Sequence, residues 1–419
     1  MTIRRSVLAL ALSASLLLAS CTETDAVPVK HSVALSVSWW GRDVRHSYTI
    51  SALNEFSKLN PDIELSTEFA EFDPFLKQMD VEFATHHECD VMMINYDWLF
   101  RYSPDGTGFY DLGQLADEID LSTFTAEQLS YGIVDGKLNA ISNALNCETC
   151  YYNADLYKRY GLGLPSSWDD LFKAAELMRG DGIYPIELNR KASWMAAIAH
   201  EEQRTGIRCF DDNNKLGFTA ENFANVVSFY RDLVEKNVTK YMNEIGTQDF
   251  TRGISAGAMV WISDAGYFCE PAIKSGHKIE VGDYLRIPGS EILGWYAKPT
   301  SMYCIRRDTK SPKEAAKLVD FLINSEEMAL LQGTEKGIPM SKSMLEVLES
   351  NDLLHGIQFD SNKKLLSTIE IKRVSPYLEN IGLVEAFERS ARAVLYEGED
   401  PESEGRMLYD IAKDLKLEP

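Results

Sequence analysis

The residues best suited to chemistry in this chain are rings and planar polar groups that follow two predicted strands. They are Trp40, Arg42 and His46 after the first strand, and Asp97 and Trp98 after the third. Open α/β sheets bind ligands beyond the carboxyl ends of their strands, so these side chains are expected at one site. A sugar offers apolar C–H faces and a rim of hydroxyls, which aromatic platforms and planar polar groups recognise together. The mixture therefore predicts carbohydrate binding.

The sequence leaves a plainer structural role open for most of these side chains. Strand alternation turns one of Trp39 and Trp40 toward the core, and we assign Trp40 to the ligand. Arg42 could pair with a surface acid, and His46 could pack beside a helix start. Trp98 could belong to the core of its domain.

A second group of candidates surrounds residues 143–157, a polar, cysteine-bearing segment that contains two adjacent tyrosines. We interpret this segment as the first crossing between two lobes, with its polar side chains facing a cleft. The candidates in and after it are Asn146, Glu148, Trp194 and Asp264. Glu148 and Asp264 have no evident structural role, whereas Trp194 is equally compatible with a platform and with packing. Trp261 is assigned to the core.

The acids and tyrosines of these segments are also compatible with two other functions. Asp97, Glu148 and Asp264 could supply the carboxylate pair of a glycosidase, although the sequence marks none of them as an acid with a raised pKa. The adjacent Tyr151 and Tyr152 could be ligands of an iron receptor, but such a site needs several oxygen ligands on one metal. We expect a binding protein without enzyme activity, metal or cofactor.

Length and charge limit the partners. A chain of 419 residues exceeds the size at which one hydrophobic core stops growing, so two domains are expected. The net charge is -22, and no stripe of Lys or Arg offsets it. Such a surface repels phosphate backbones, which makes nucleic acid an improbable partner.

The N-terminus predicts export and a lipid anchor. Arg4 and Arg5 precede an apolar run that is too short to span a bilayer comfortably, and LLASC, ending at Cys21, resembles a bacterial lipobox. Residues 1–21 are therefore predicted to be a signal peptide with a lipidated cysteine, followed by a flexible tether at 22–31. The alternatives are an ordinary signal peptide with a chance cysteine, or an uncleaved anchor.

Six cysteines follow Cys21. In an oxidising compartment some could pair, but the connectivity is not readable from the sequence. Cys147 and Cys150 form a lone CxxC without a second ligand pair for zinc. Either a structural disulfide or two buried thiols would account for them.

Strand-like and helix-like segments alternate along the chain. An alternating apolar segment, a helix, a short strand, a second helix and a buried strand follow one another up to residue 95, a βαβαβ pattern typical of a doubly wound parallel sheet. The same alternation resumes after residue 157. The sequence therefore predicts an α/β fold with two lobes.

Several segments occur in the order found in one family of transport receptors. They read SWWGRDVRH, DVMMINYDWLF followed by DGTGFYDL, CYYNADLYKRYGLGLPSSWDDL, GAMVWISDAG, LGWYAKPTS followed by SPKEAAKLVDFL, and GIPMSKS. In these segments the chain resembles extracellular solute-binding proteins of carbohydrate ABC transporters, the family that includes maltose-binding protein. The resemblance covers essentially everything after the tether. The cysteine pair departs from it, because the family pattern usually has none there.

The resemblance implies a two-lobed periplasmic-binding-protein fold with a hinge of several crossings. The crossings would lie near 141–146, 285–289 and 336–341. Lobe 1 would then hold residues 32–141 plus 290–337, and lobe 2 residues 146–289 plus 341–419. The family pattern also places a ligand-facing residue after the second crossing, which we assign to Trp295. Glu335 is a weaker candidate.

The resemblance further implies the partners of the protein. It would be a monomeric receptor, anchored by lipid on the extracellular or periplasmic face of the membrane. It would capture a sugar, most simply an oligosaccharide, and pass it to the permease subunits of an ABC importer.

Overall fold

The computed structural model describes residues 33–415. The predicted signal peptide, Cys21 and the tether lie outside the described residues. Within 33–415, no helix combines the length and the apolar character needed to cross a bilayer.

The described part of the chain alternates strands and helices in both halves. The strands are β1 (Val33–Trp40), β2 (Ile63–Ala70), β3 (Val91–Ile94), β4 (Ile133–Val134), β5 (Lys137–Leu138), β6 (Ile141–Ser142), β7 (Leu145–Asn153), β8 (Glu187–Leu188), β9 (Gly257–Trp261), β10 (Ile279–Val281), β11 (Tyr296–Pro299), β12 (Met302–Ile305) and β13 (Lys372–Arg373). The α-helices are α1 (Asp43–Leu59), α2 (Phe72–Thr85), α3 (Tyr96–Tyr102), α4 (Ala126–Ser130), α5 (Ala154–Arg159), α6 (Trp168–Met178), α7 (Arg190–Thr205), α8 (Ala220–Glu235), α9 (Ala265–Lys274), α10 (Pro312–Asn324), α11 (Glu326–Gln332), α12 (Lys342–Ser350), α13 (Ile357–Ser367), α14 (Ile381–Arg392) and α15 (Pro401–Asp414). Short 3₁₀ turns at Ile262–Asp264 and Pro376–Glu379 matter for the site.

The sheet of lobe 1 has the order β2-β1-β3-β12-β6. β1 pairs in parallel with β2 and β3, as the alternation of strands and helices predicts. β12 pairs antiparallel with β3 and β6, so a strand from much later in the chain completes this lobe. β3 reads VMMI and is buried along its whole length, and α10 packs on it.

The sheet of lobe 2 has the order β13-β11-β7-β9-β8, and β10 also pairs with β7. β7 is its long central strand and is buried from its second residue onward. Helices α7, α8, α14 and α15 pack on one another and form the main helical layer of this lobe. The two sheets confirm the predicted two-lobed α/β architecture.

The chain passes between the sheets at three places. β6 ends lobe 1 and β7 begins lobe 2, so the first crossing is residues 143–144. β11 belongs to lobe 2 and β12 to lobe 1, so the second crossing is residues 300–301. The expected crossing at 285–289 is replaced by this one, because Arg286 N donates to Ser166 O at 3.3 Å and holds that loop on lobe 2.

The third crossing also differs from its expected position. Residues 336–341 pass beside the first crossing, where Pro339 pairs with Ala144, but the chain then stays on lobe 1. α12 packs on α10 and α11, and Ser341 Oγ donates to Asn324 Oδ1 at 2.7 Å. The chain leaves lobe 1 only at 351–356, before α13 packs against α9. Lobe 1 is thus residues 33–142 plus 302–350, and lobe 2 is residues 145–299 plus 357–415.

The six cysteines within 33–415 are free and buried. Cys147 and Cys150 are three residues apart on β7, so their side chains point to opposite faces of the sheet. Burial raises the pKa of the Cys150 thiol to about 12. Of the two alternatives for this pair, the structure shows two buried thiols, and nothing cross-links the first crossing.

Candidate ligand site between the lobes

Lobe 1 offers a tryptophan platform at the end of β1. The Trp40 ring is half-buried, and its Nε1 has no hydrogen-bond partner among the described residues. The Arg45 guanidinium lies 4.6 Å from the centre of this ring. Arg45 also makes a two-pronged contact with Glu335, with Nη2–Oε1 at 2.9 Å and Nε–Oε2 at 3.1 Å. This contact holds the guanidinium in place over the ring.

Glu335 is ionised because of these neighbours. Burial opposes its ionisation, but the charge of Arg45 and the hydrogen bond from Tyr48 outweigh burial and lower its pKa. The Tyr48 hydroxyl donates to Glu335 Oε2 at 2.5 Å. The weaker sequence candidate Glu335 therefore orients Arg45 at the platform.

Arg42 and His46 occupy different surroundings. The Arg42 guanidinium lies 4.5 Å from the ring centre of Tyr267, which belongs to α9 of lobe 2. His46 Nδ1 accepts a hydrogen bond from Trp39 Nε1 at 3.1 Å, and its ring packs on Phe69. Arg42 thus reaches across the interface between lobes, whereas His46 is engaged within lobe 1.

Three of the predicted tryptophans lie in the hydrophobic cores. Trp98 is 1% exposed and packs against Phe72 and Phe75. Trp194 and Trp295 are 0% and 2% exposed, and their indole N–H groups donate to backbone carbonyls of lobe 2. Because none of these rings has a free face, this is a correction to the predicted site, and we leave them out of it.

Lobe 2 gathers two lysines around one carboxylate. Lys298 Nζ contacts Glu379 Oε2 at 2.5 Å, and Lys191 Nζ contacts Glu379 Oε1 at 3.4 Å. Burial disfavours the charge on Glu379, but the two ammonium groups outweigh it and lower its pKa to about 2. Lys298 also lies 4.5 Å from the ring centre of Trp261, which is partly exposed. We call Glu148, Lys191, Lys298 and Glu379 the charge cluster.

Glu148 is the one member of the charge cluster without a partner. It is 2% exposed, and neither carboxyl oxygen has a hydrogen-bond partner among the described residues. Burial, followed by the nearby charges of Asp264 and Glu379, raises its pKa well above the usual value. Asn146, two residues earlier, is fully occupied with Ser263: its Nδ2 donates to Ser263 Oγ at 3.0 Å, and its Oδ1 accepts from Ser263 N at 3.2 Å.

Two further acids face the charge cluster. Asp97 belongs to lobe 1, and burial together with the charge of Glu379 raises its pKa to about 6. Its Oδ1 accepts from Asn95 Nδ2 at 2.5 Å. Asp264 lies on lobe 2, and burial raises its pKa although Arg42 and Arg45 oppose the shift. The structure thus brings Asp97, Glu148 and Asp264 toward the same interface.

Sequence reasoning missed several members of this interface. Lys298 stands out within the short apolar strand YAKP, a signal that could have identified it. Trp261 ends a strand whose other residues are buried, so its partial exposure was also foreseeable. Glu379 and Lys191 carry no such signal, because they meet only after distant elements pack together.

Direct contacts join the two lobes beside the charge cluster. Arg373 of lobe 2 donates to the backbone oxygen of Ser130 at 3.2 Å and to its hydroxyl, and it lies 4.4 Å from the ring centre of Tyr131. On the other flank, Gln358 Nε2 donates to the Glu335 backbone oxygen at 3.4 Å. The lobes are therefore in contact on both flanks of the site.

The cavities of lobe 2 lie elsewhere. One of about 240 Å³ borders Glu202 and Tyr296, and one of about 410 Å³ borders Tyr284 and Arg286. Neither is lined by a member of the charge cluster. The site rests on converging side chains rather than on either cavity.

Within 33–415, no group of three or more His, Cys, Asp or Glu side chains could hold a metal ion. Tyr151 and Tyr152 are both 0% exposed and pack in the core of lobe 2.

Known proteins share this architecture. A periplasmic solute-binding protein from Pectobacterium atrosepticum is 26% identical, with a TM-score of 0.85 over 91% of this chain and 98% of its own. A periplasmic oligogalacturonide-binding protein from Yersinia enterocolitica, solved with saturated digalacturonic acid, is 27% identical, with a TM-score of 0.84 over the same shares. A Brucella abortus chain, described provisionally as a binding protein, is 22% identical over 337 residues, which are 78% of this chain and 79% of its own.

The family model of the bacterial extracellular solute-binding proteins matches residues 45–329. The matched part includes Arg45, the strands from β2 to β12 and the first two of the three crossings described above. With this match and the shared fold, the chain belongs to the bacterial extracellular solute-binding proteins.

Proposed function

We propose that this protein captures an oligosaccharide between its lobes and, as a monomer, delivers it to the permease of an ABC importer. The observation that carries the proposal is that two groups of lobe 1 reach charged groups of lobe 2. Asp97 lies near the charge cluster, and Arg45, which covers Trp40, lies near Asp264. A ligand at this interface would contact both lobes. It would favour the closed arrangement by its differential affinity for that state, which is the signal that a permease can read.

The ligand class that we propose is an acidic oligosaccharide. The 27% identical neighbour from Yersinia enterocolitica binds an oligogalacturonide, and this supports the choice. The charges at the interface support it as well. Arg42 pairs with no carboxylate among the salt bridges of the described residues, and Lys191 and Lys298 share a single carboxylate. Ring stacking on Trp40 and these cations together suit a uronic acid.

Calorimetric titration with a glycan panel tests the proposed function. The panel contains di- and trigalacturonic acid, maltose and maltotriose. We expect saturable one-to-one binding of the acidic members with Kd of order micromolar, about -8 kcal/mol. Absence of saturable binding for every sugar in the panel would refute carbohydrate capture.

We also propose that Cys21 is lipidated and holds the receptor at the outer face of the membrane. The sequence LLASC supports this. Metabolic labelling with a palmitate analogue in a bacterial host tests it. We expect label and membrane retention in the wild type, and loss of both in Cys21→Ser. A labelled, membrane-bound Cys21→Ser protein would contradict the anchor.

One observation favours a second candidate. Raised pKa values at Asp97 and Glu148 are a property of the general acids of glycosidases. Incubating the protein with trigalacturonic acid and separating the products by chromatography decides between the two. We expect intact ligand, because a transport receptor releases what it binds, and a shortened sugar would establish the enzyme.

A further inference from the structure

Glu148 is a buried residue of β7, the central strand of lobe 2. Antiparallel pairing sets it opposite Trp261 on β9, and two residues earlier Asn146 is opposite Lys298 on β11. Residues that face each other across antiparallel strands, and residues two apart on one strand, project from the same side of a sheet. Glu148, Trp261 and Lys298 therefore project together. Neither carboxyl oxygen of Glu148 has a partner within the described residues.

No cation forms an ion pair with Glu148 within the described residues. The charged or titratable groups around it are Asp264 from the 3₁₀ turn, Glu379 before α14, Lys191 on α7, Lys298 on β11, Cys150 on the same face of its own strand, and Cys147 and Tyr151 on the opposite face. Both lysines are engaged with Glu379. Burial and two neighbouring acids therefore act against a charge on Glu148, and its pKa is raised. Its burial and its unpaired oxygens thus favour the protonated carboxylic acid.

A protonated carboxyl group changes what this site can bind. An ionised carboxylate only accepts hydrogen bonds, whereas the acid form also donates one through its O–H. Lys298 has three N–H donors and uses one toward Glu379. The same side of the sheet thus presents an O–H donor and an ammonium group. This is a donor pair that suits a carboxylate of the ligand, with Trp261 beside it.

We propose that Glu148 is a specificity-determining residue, which as the carboxylic acid donates a hydrogen bond to a carboxylate of the bound sugar next to the Lys298 ammonium. This rests on the proposed function, since it assumes that an acidic sugar enters the interface. It adds that one sugar carboxylate lies at the charge cluster. It also makes binding dependent on the proton of Glu148.

The experiment is a calorimetric titration of the full chain with digalacturonic acid between pH 5 and 9. The sugar is ionised throughout this range, so its own charge is constant. We expect affinity to fall about tenfold per pH unit once the pH exceeds the pKa of Glu148 in the free protein. Glu148→Gln keeps a neutral donor, so its affinity should fall far less steeply toward pH 9. Asp97 and Lys336 also titrate, near 6 and 7, but they are present in both proteins and cancel in the comparison.

Two controls separate a binding role from a structural one. Glu148→Ala removes the donor, and we expect affinity for digalacturonic acid to fall about 10- to 100-fold at pH 5. The dimethyl ester of the sugar lacks the carboxylate, so it should bind wild type weakly and without the high-pH loss. Thermal melting of each variant shows whether it is folded.

The outcomes distinguish the inference from the proposed function. Parallel pH profiles of wild type and Glu148→Gln, or equal affinity for the acid and its ester, would overturn the role of Glu148 while leaving sugar capture standing. If neither the acidic nor the neutral sugars bind, the proposed function fails and the inference fails with it. A profile that steepens in Glu148→Gln would also overturn the inference.

Discussion

The sequence assigns Trp40 to the ligand and leaves Trp194 between a platform and packing, and the structure gives the two rings different surroundings. Trp40 keeps part of its ring exposed, with an unpartnered N–H and Arg45 over one face. Trp194 is fully buried, packs on Phe387 and donates to the Leu378 backbone oxygen. A ring of the first kind is accessible to a ligand, whereas one of the second kind stabilises the fold.

We therefore expect opposite effects from truncating the two rings. Trp40→Ala should weaken binding of digalacturonic acid about tenfold by loss of stacking, with a small change in melting temperature. Trp194→Ala should lower the free energy of unfolding by about 3–5 kcal/mol because it opens a cavity in the core. Calorimetry and urea unfolding of both variants check this. Unchanged affinity in Trp40→Ala would remove that ring from the site.

Glu379 gives a prediction on acid stability. Its pKa in the fold is about 2, below the unfolded value of about 4.3. A depressed carboxyl pKa contributes stability that is present above the unfolded pKa and lost as pH falls through the folded pKa. Urea unfolding between pH 7 and pH 2 measures the free energy of unfolding. The wild type should lose the contribution of Glu379 between about pH 4.3 and pH 2, and Glu379→Gln should not show this loss.

The same variant tests the buried ion pairs directly. Glu379→Gln leaves Lys298 and Lys191 without their carboxylate, so we expect about 3–5 kcal/mol of destabilisation at pH 7. Glu388→Gln is the matched control, because Glu388 pairs with Arg190 at a more exposed position and should change stability by well under 1 kcal/mol. Equal stability of both variants would mean that the charge cluster is not a buried network.

The crossings show which parts of the fold could be predicted. The βαβαβ pattern up to residue 95 was readable because each strand and helix carries its own periodicity. The second crossing was not, because β11 and β12 are only two residues apart in YAKPTSMYCI and yet belong to different sheets. Pairing partners far along the chain decide that, and a local pattern does not contain them.

The same distinction between local pattern and distant pairing applies to the residues of the site. Trp40 and Glu148 were predicted from their positions at a strand end and in a crossing, and both lie at the interface. Glu379 was not predicted, because its significance depends on Lys298 and Lys191, which are distant in sequence. The core tryptophans were misassigned because the sequence does not show whether a ring near a strand end packs in the core or stacks on a ligand.

A substitution at Gly337 tests how tightly this residue packs against the first crossing. Its φ of +100° is in the region that favours glycine, and an added Cβ would meet Ala144 Cβ at 3.1 Å and the Leu145 oxygen at 3.3 Å. We expect Gly337→Ala to destabilise the fold by about 1–3 kcal/mol. Gly163→Ala is the control, since its added Cβ meets nothing within 4 Å and its φ is ordinary. Equal urea midpoints of Gly337→Ala and Gly163→Ala would contradict tight packing of Gly337 against the first crossing.

The two lobes also touch each other through side chains at the edges of the interface. Arg373 joins lobe 2 to Ser130 and Tyr131 of lobe 1, and Arg42 joins lobe 1 to Tyr267 of lobe 2. Such contacts exist only while the lobes are together, so they stabilise the closed state and slow ligand release. They are exposed, and each contributes little alone.

Removing one of these contacts should speed dissociation. For Arg373→Ala we expect a dissociation rate about 2- to 5-fold higher in stopped-flow measurements, with the association rate nearly unchanged. Arg406→Ala removes an exposed arginine of α15, a helix that packs on α8 and α14 of lobe 2, and it should leave both rates as they are. An equal increase in the dissociation rate of both variants would mean that the change in net charge, and not the lost contact, causes the effect.

The most direct test is a distance measured across the lobes. In a Cys21→Ser background, Lys58→Cys on α1 and Arg406→Cys on α15 place one spin label on each lobe. The six other native thiols are buried and will not compete. Pulsed electron spin resonance with and without digalacturonic acid then reports closure. The account predicts a broad distribution of label distances without sugar, and a narrower one at a shorter mean distance when the sugar is saturating. Saturable binding with an unchanged distribution would contradict capture between the lobes.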